Sequence, residues 1–512
     1  MNDKMHDKFN TLENARTIKL EKARLYAAAT KPSLMPRDES DVRSNRQVRH
    51  PHSSLPARGV TSFGAKTTSA MLPPSGTPFL AIEVAPELQD GSNPELVNSL
   101  QEISKKIQDV THSTLLRSAV RDTLNTAMEH ICVVGDVVVH QNGLEFDYYR
   151  LDNFVIKRDV QGMPLELIVR QWMREEELEE AQLQQLKMDN IETVRRFDSN
   201  FYPYFIHVAF KDGVQTESRY LGNTQLESKT LRGTPWMIPQ YATNAYEDYS
   251  TSLVEDNYGD IVSAHALRET MLEAMSVGNI GYIGFVPGSI TADTLKNTPN
   301  WGVLPIKDES SIQFIQPNTV GTISTTASFA AAHDGEIRRI FFMDVAAELT
   351  QDRTTAYQVS QAIASLERSI GPLLNLLRTA LLEPVAMNTI LHLVDEGVFG
   401  PEVEDAISNG EIILTIKSGS NSMDSTSEDQ KIINWMATWL QLAPEQAQQQ
   451  INVESVIKHS AQLQGIPSML LYSQAQKDAN AQNQQETALN DSLLNSSGDI
   501  AKELIKQQAP RG

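Results

Sequence analysis

The chain of 512 residues contains a single cysteine, Cys132. One thiol excludes an intrachain disulfide and any cysteine-cluster metal site, and within the apolar ICVVGDVVV it reads as a packed core thiol. Long hydrophobic runs are also missing: none approaches the roughly 20 residues of a membrane span. The N-terminal MNDKMHDKFNTLENARTIKLEKARLYAA is a charged helix rather than a signal peptide, so a cytosolic setting without membrane insertion is expected. H-E-x-x-H, C-x-x-C and G-x-S-x-G do not occur, and no catalytic residue, metal site or cofactor is expected from motifs. Histidines are scattered; the nearest pair, His50 and His52 around Pro51, reads as surface, and DESD at 38–41 as a solvated acidic turn.

Positive charge is scarce, with 44 Lys and Arg against 65 Asp and Glu and a net charge of −21. Residues 1–66 hold 13 basic and 7 acidic side chains, a surplus of +6, so the remainder carries −27. Such an acidic chain is unsuited to gripping duplex DNA, whose affinity for proteins comes chiefly from cations displacing condensed counterions. It can still let DNA pass. The basic N-terminal stretch has two readings, a solvated helix face or contact with an acidic partner.

One stretch looks like chemistry. RGVTSFGAKTT, residues 58–68, sets Gly59 and Gly64 five apart before Lys66 and Thr67. A phosphate-binding loop needs G-x-x-x-x-G-K-[ST] after an apolar strand. Here Ala65 is inserted, which turns the lysine by about 100° on a helix, and the upstream segment is charged and proline-bearing. An amphipathic helix burying Val60, Phe63, Ala65, Met71 and Leu72 is favoured; a nucleotide-dependent cytosolic enzyme using residues 59–67 is kept as the alternative.

Periodicity then gives the order of elements. Helices are expected over 8–30 and 56–72, and a helical pattern runs from Pro94 to Met128. Strands follow from 131 to 236 (ICVVGDVVVHQ, LEFDYYRL, FVIKR, LELIVRQW, YPYFIHVAF), with hairpins around Asp159 to Gly162 and around Asp212-Gly213. The charged insert REEELEEAQLQQLKMDN is expected to be a surface helix. Residues 253–277 read as one helix of about seven turns, with Val254, Tyr258, Ile261, Val262, Leu267, Met271 and Met275 along one side and five acids against Arg268. A β-rich piece of about 40 residues with three short strands is too small for an independent core. A second helix, a polar interruption and a long helical segment come next. That segment carries a stripe of Val359, Ile363, Leu366, Ile370, Leu373, Leu377, Leu381 and Val385, and bends are expected at Pro372 and Pro384. A strand at 411–419 and a helix opening on Ser427 follow; beyond Gln474 the composition turns to Gln, Asn and Ala. The fold class expected is α+β, mainly helical.

This order, with PSLMPRDES at 32–40, ARGVTSFGAKTTSAMLPPSGTPFLAI at 57–82, VIKRDVQGMPLELIVR at 155–170, YGDIVSAHALRETMLEAMSV at 258–277 and DRTTAYQVSQAIASLERSIGPLLNLL at 352–377, resembles the portal, or head-to-tail connector, proteins of short-tailed (podovirus) double-stranded DNA bacteriophages. The resemblance implies a ring of identical subunits, usually a dodecamer, around a DNA channel at one capsid vertex of the virion, assembled in the host bacterial cytoplasm. It implies a β-rich wing over 1–252, a stem helix over 253–277, a small α/β clip over 278–320 and a second stem helix over 321–345. A channel loop at 346–356, a long kinked helix with a returning wing strand over 357–426, and a helical crown with a low-complexity tail over 427–512 complete the plan. Implied partners are the terminase large subunit, tail adaptor and nozzle proteins, major capsid and scaffolding proteins, internal core proteins, and double-stranded DNA in transit. No catalytic centre is implied. By the same resemblance Gln351, Asp352, Arg353 and Thr354 form the channel loop, Arg353 contacting DNA or an adjacent subunit, and Trp301 and Lys307 sit in the clip. Glu255, Asp256, Asp260, Glu269 and Glu273 either face the lumen as acidic rings that repel phosphate or form an ordinary solvated helix face. Another ring-forming phage structural protein is a further alternative.

Overall fold

The computed structural model describes residues 4–36, 51–72, 80–84, 94–178, 180–188, 194–196, 199–242, 244–278, 282–285, 312–315, 320–343, 370–400 and 412–416, with a few isolated positions besides. Residues 1–420 form one compact unit and residues 421–512 a second; in the second, 434–436 and 438 are helical. Ser427 and the residues beyond Gln474 lie outside the described residues. Among the described residues no helix is long and apolar enough to cross a membrane, and no His, Cys, Asp or Glu group is arranged to hold a metal.

The first unit is a mixed α+β structure. Helices α1 (Met5–Ala29), α2 (Leu55–Met71), α3 (Pro94–Arg117) and α4 (Val120–Val134) come first. Between α2 and α3 lies β1 (Leu80–Val84), which pairs antiparallel with β13 (Ile412–Ile416) from the far end of the unit, Leu80 opposite Ile416. Strands β2 (Val138–Asn142) and β3 (Glu145–Tyr149) form a small sheet with β10 (Trp236–Met237). The larger sheet runs β4-β5-β7-β8-β9, with β4 at Phe154–Arg158, β5 at Pro164–Arg174, β7 at Ser199–Lys211, β8 at Val214–Leu221 and β9 at Thr224–Thr230; β6 (Val194–Arg196) pairs with β7.

Both expected hairpins are present, β4 with β5 and β7 with β8. Asp212 and Gly213 have φ of 50° and 78°, the doubly positive pair that a two-residue turn between right-twisted strands requires. The charged insert is a short helix, α5 (Glu180–Met188), which buries Leu186 beside Tyr202 and Leu221.

Several expectations about the helices are corrected. The run from Pro94 is broken at Ser118 and Ala119, and α4 continues to Val134, so ICVV is the buried end of a helix rather than the start of a strand. The apolar run is ambiguous because every side of that turn is covered: Ile131, Cys132, Val133 and Val134 are all fully buried, which leaves no polar face to show a period. Gly135 stops the helix at φ 97°, its N–H donating to the Ile131 carbonyl at 3.0 Å, and the chain packs so closely that a Cβ there would meet the Thr251 carbonyl. The segment 253–277 is likewise two helices, α6 (Leu253–Asp256) and α7 (Tyr258–Gly278), divided at Asn257, whose side chain donates to the Leu253 carbonyl at 2.8 Å. In α2, Ala65 is exposed while Val60, Phe63, Met71 and Leu72 are buried as expected. Of the stripe expected on 253–277, Val262 and Met275 are exposed.

The thiol of Cys132 has no exposed surface, and burial pushes it well above the usual cysteine range. A maleimide or disulfide reagent is expected to leave the native protein unlabelled over hours and to label one thiol per chain once denaturant is added, read by mass spectrometry. Rapid native labelling would place Cys132 at a surface or a frequently opened helix end.

The long helical segment enters the described residues at 370. Ile370, Leu373, Leu377, Leu381 and Val385 are all buried, as the spacing predicts; Val359, Ile363 and Leu366 lie outside the described residues. At Arg378–Leu382 the helix widens to a π turn before α8 (Glu383–Asp395), in which Pro384 is the second residue. Pro384 has no N–H to donate backwards, and the widened turn accommodates that missing bond. Helix α8 is locked by the Asn388 amide on the segment before β10 and by Thr389 on β2. Asn388 Oδ1 accepts from Thr234 N–H at 2.9 Å, its Nδ2 donates to the Thr234 carbonyl at 3.0 Å, and Gln141 Nε2 donates to Thr389 Oγ1 at 3.0 Å.

Among the described residues, several N-terminal cations are engaged within the chain itself. Lys8 pairs with Glu166 at 2.7 Å, Lys31 with Glu129 at 2.6 Å, and Lys19 and Lys22 both with Glu255 at 3.1 Å. Arg16 lies inside the protein, where its Nη1 donates to the carbonyls of Leu151 and Phe154 and its Nη2 to Glu13 Oε1 at 3.0 Å. Phe9 fills a satellite core with Met5, Val155, Ile168 and Phe205, and thereby fixes α1 across the larger sheet.

Candidate functional site

Two helices pack side by side. Helix α7 runs out to Gly278, a two-stranded sheet of β11 (Tyr282–Phe285) and β12 (Ile312–Ile315) follows, and α9 (Val320–Ile340) returns antiparallel to it. Arg268 on α7 and Asp334 on α9 pair at 2.5 Å and fix the register of the two helices. The third strand expected in this region, and with it Trp301 and Lys307, lies outside the described residues, as do Gln351, Asp352, Arg353 and Thr354.

The base of this hairpin is seated by the body. Ser252 caps α6, its hydroxyl accepting from Glu255 N–H at 2.9 Å and donating to the Val133 carbonyl at 2.9 Å, which ties the start of α6 to the end of α4. Just upstream, buried Asp136 accepts from Ser250 N–H at 2.8 Å and lies 3.8 Å from Arg158; burial raises its carboxyl to about 6 although Arg158 pulls it down. Tyr258 packs against Tyr26 of α1 with centroids 5.1 Å apart and the rings tilted by 57°. His265 makes two bonds that settle its tautomer: Nδ1 accepts from Ser53 N–H at 3.2 Å, so Nε2 carries the hydrogen donated to the Ala29 carbonyl at 2.7 Å. Partial burial lowers its pKa and keeps the ring in this neutral form.

The phosphate-loop-like stretch is the other half of the seat. It lies within the continuous helix α2, so its backbone N–H groups are engaged in the helix rather than free for a phosphate. Gly59 faces the fully buried ring of Phe341, against which a Cβ would overlap. Lys66 Nζ donates to the Phe342 carbonyl, just past the last turn of α9, where a cation also meets the negative end of the helix dipole. Phe342 itself stands at φ 55°, and Met343 N–H closes back on the Arg338 carbonyl at 2.7 Å. Gly64 faces the opposite neighbour: its Cβ would stand 2.9 Å from Glu129 Cγ of α4. The two glycines and the lysine therefore hold two helices against α2.

The five acids expected on this segment are not brought to one face. Glu255 is held by Lys19 and Lys22, and their nearness lowers its pKa against the opposing effect of burial. Asp256, Asp260, Glu269 and Glu273 are exposed, with Glu269 3.5 Å from His52. At about 100° per residue, Asp260 and Glu269 point to opposite sides of α7, about 180° apart, while Glu273 points about 140° away from Arg268 and hence from α9. Sequence reasoning missed His265; it favoured a helix over the stretch holding Gly59 and Lys66, which is present, but gave these two residues no contact. The available signal was two glycines inside a helical pattern, a mark of close helix approach.

Residues 2–471 match the family model described as bacteriophage head to tail connecting protein. The portal protein of Escherichia phage T7 is 22% identical over 487 residues, covering 92% of this chain and 88% of that one. That of Enterobacteria phage T3 is also 22% identical over the same shares. The portal protein of Pseudomonas phage phiKMV is 21% identical, covering 82% of this chain and 83% of its own. Among solved structures, a chain of the neck of the native gene transfer agent particle, computed with C12 symmetry, is similar with TM-score 0.38 and 10% identity, covering 81% of this chain and 89% of that chain.

Proposed function

This chain belongs to the family of bacteriophage head-to-tail connecting proteins, and from that premise we propose that it is the portal protein of a phage particle. Identical subunits, twelve by the family's plan, form a ring at the head-to-tail junction through which DNA is packaged and ejected. In this reading residues 1–252 are the wing, α7 and α9 the stem, 278–320 the clip that receives the terminase, and 427–512 the crown and tail; 346–356, with Gln351, Asp352, Arg353 and Thr354, is the channel loop. The same ring meets tail adaptor and nozzle, capsid and scaffolding, and internal core proteins. Its role is structural, with packaging energy supplied by the docked motor.

The observation that carries the reading is the state of the hairpin in a single chain. Among the described residues its outer part holds a pair of four-residue strands, and a two-stranded sheet is marginally stable alone in water. Val262, Leu272, Met275 and Phe329 of its helices are exposed, at 40%, 56%, 38% and 58%. Apolar side chains of this size on a protruding element call for a neighbour, and a ring provides one for every subunit. Electrostatics then choose the inner side. Glu255 is neutralised by two lysines, whereas Glu273 lies on the side of α7 turned away from α9; repeated around a ring, it repels the phosphate backbone and keeps DNA sliding. Arg353 and Lys307 are the cations expected to touch it.

Electron microscopy of the purified full-length protein tests the proposal, with rings having a central channel as the expected result. A monomer or dimer that stays so on concentration overturns it. In the same preparation ATP is expected to show no saturable binding, and Lys66→Ala to change stability rather than nucleotide affinity.

A further inference from the structure

The geometry points to a specific contact between neighbouring copies of this chain: Leu272 on α7 of one subunit packs against Phe329 on α9 of the next. The inference rests on the ring reading above and specifies which surfaces close the ring. The Arg268–Asp334 pair sets the level. Leu272 is four residues beyond Arg268, about 6 Å along α7, and Phe329 is five residues before Asp334, about 7.5 Å along α9. Because the helices are antiparallel, both displacements run toward the β11–β12 tip, and the two side chains stand within about 2 Å of the same height. Both are more than half exposed, Leu272 at 56% and Phe329 at 58%. A rotation about an axis along the hairpin preserves height, so groups that lie level on different helices of one subunit are matched in height for contact between successive subunits.

Charge selects this pairing over the symmetric one. Leu272 is bordered by Glu269 and Glu273, so α7 against α7 of a second copy would oppose like charges. Residues 320–332 of α9, VGTISTTASFAAA, contain no charged side chain and, Phe329 and Ile323 aside, are small. A neighbour's α7 laid there meets no like charge and approaches closely. The contact is therefore heterologous, a different surface on each partner, which closes into a ring rather than stopping at a dimer.

Cysteine pairing reads the contact directly, since the native thiol, Cys132, has no exposed surface. Full-length Leu272→Cys and Phe329→Cys chains carrying tags of different size are co-expressed, assembled and mildly oxidised; using two separate chains excludes a bond within one hairpin. The expected product is a disulfide-linked dimer of one chain of each kind, absent when either variant is oxidised alone and lost on reduction. Dimers formed by Leu272→Cys alone would show α7 facing α7 and overturn the inference. Rings visible by microscopy with no mixed dimer would overturn the contact while leaving the portal reading standing; absence of rings from the unaltered protein would overturn both.

Discussion

An Arg16→Leu variant is expected to lose about 3–5 kcal/mol of folding stability, the range for breaking a buried charged network from one side. The guanidinium is fully buried and serves three acceptors from three places in the chain: the Leu151 carbonyl, the Phe154 carbonyl and Glu13. Leucine fills part of the volume but leaves both carbonyls dry and unbonded, and it leaves Glu13 with Arg170 alone, 2.9 Å away. Burial lowers the Arg16 pKa, and the nearby Glu13 works against that effect. An exposed ion pair on the same helix contributes no more than about 1 kcal/mol, and the exposed Asn14→Ala should fall within about 0.5 kcal/mol of the parent. Denaturant unfolding followed by near-ultraviolet circular dichroism separates these cases. A cost below about 1 kcal/mol for Arg16→Leu would mean that the guanidinium does not carry these carbonyls.

The second large effect is a contrast of sign between two helical glycines. Glycine inside a helix is worse than alanine by about 1 kcal/mol, so Gly335→Ala on α9, where an added Cβ meets nothing within 4 Å, is expected to stabilise by up to that amount. Gly59→Ala on α2 gains the same local term and is nonetheless expected to destabilise by about 2 kcal/mol net. Its Cβ overlaps the ring of Phe341, which is itself fully buried and has no free side to turn toward. Any relief must displace Phe341 from its seat, and with it the end of α9 that Lys66 holds at Phe342. Ring yield by size exclusion is therefore expected to fall for Gly59→Ala and to stay at the parent level for Gly335→Ala. Equal behaviour of the two variants would show that the hairpin does not depend on this socket.

The antiparallel hairpins were readable along the chain because their information is local. Asp212-Gly213 supplies the two positive φ values between alternating strands, and the Ile370 to Val385 stripe repeats at the helical period. The absence of catalytic motifs and the acidic balance likewise came from composition. The sequence by itself therefore determined most of the order of elements and the stripe from Ile370 to Val385, and its resemblance to a known family the kind of protein. Tertiary structure alone decided what each singled-out group touches. Leu80 finds Ile416 across the whole unit, ICVV stays helical until Gly135 because close packing covers all its sides, and Glu255 spends its charge on two lysines of α1. Lys66 reaches a carbonyl 276 residues away instead of a phosphate. The physical reason is range: backbone preference and burial period act over a few residues, while a side chain's partner depends on which distant segments packing brings alongside it.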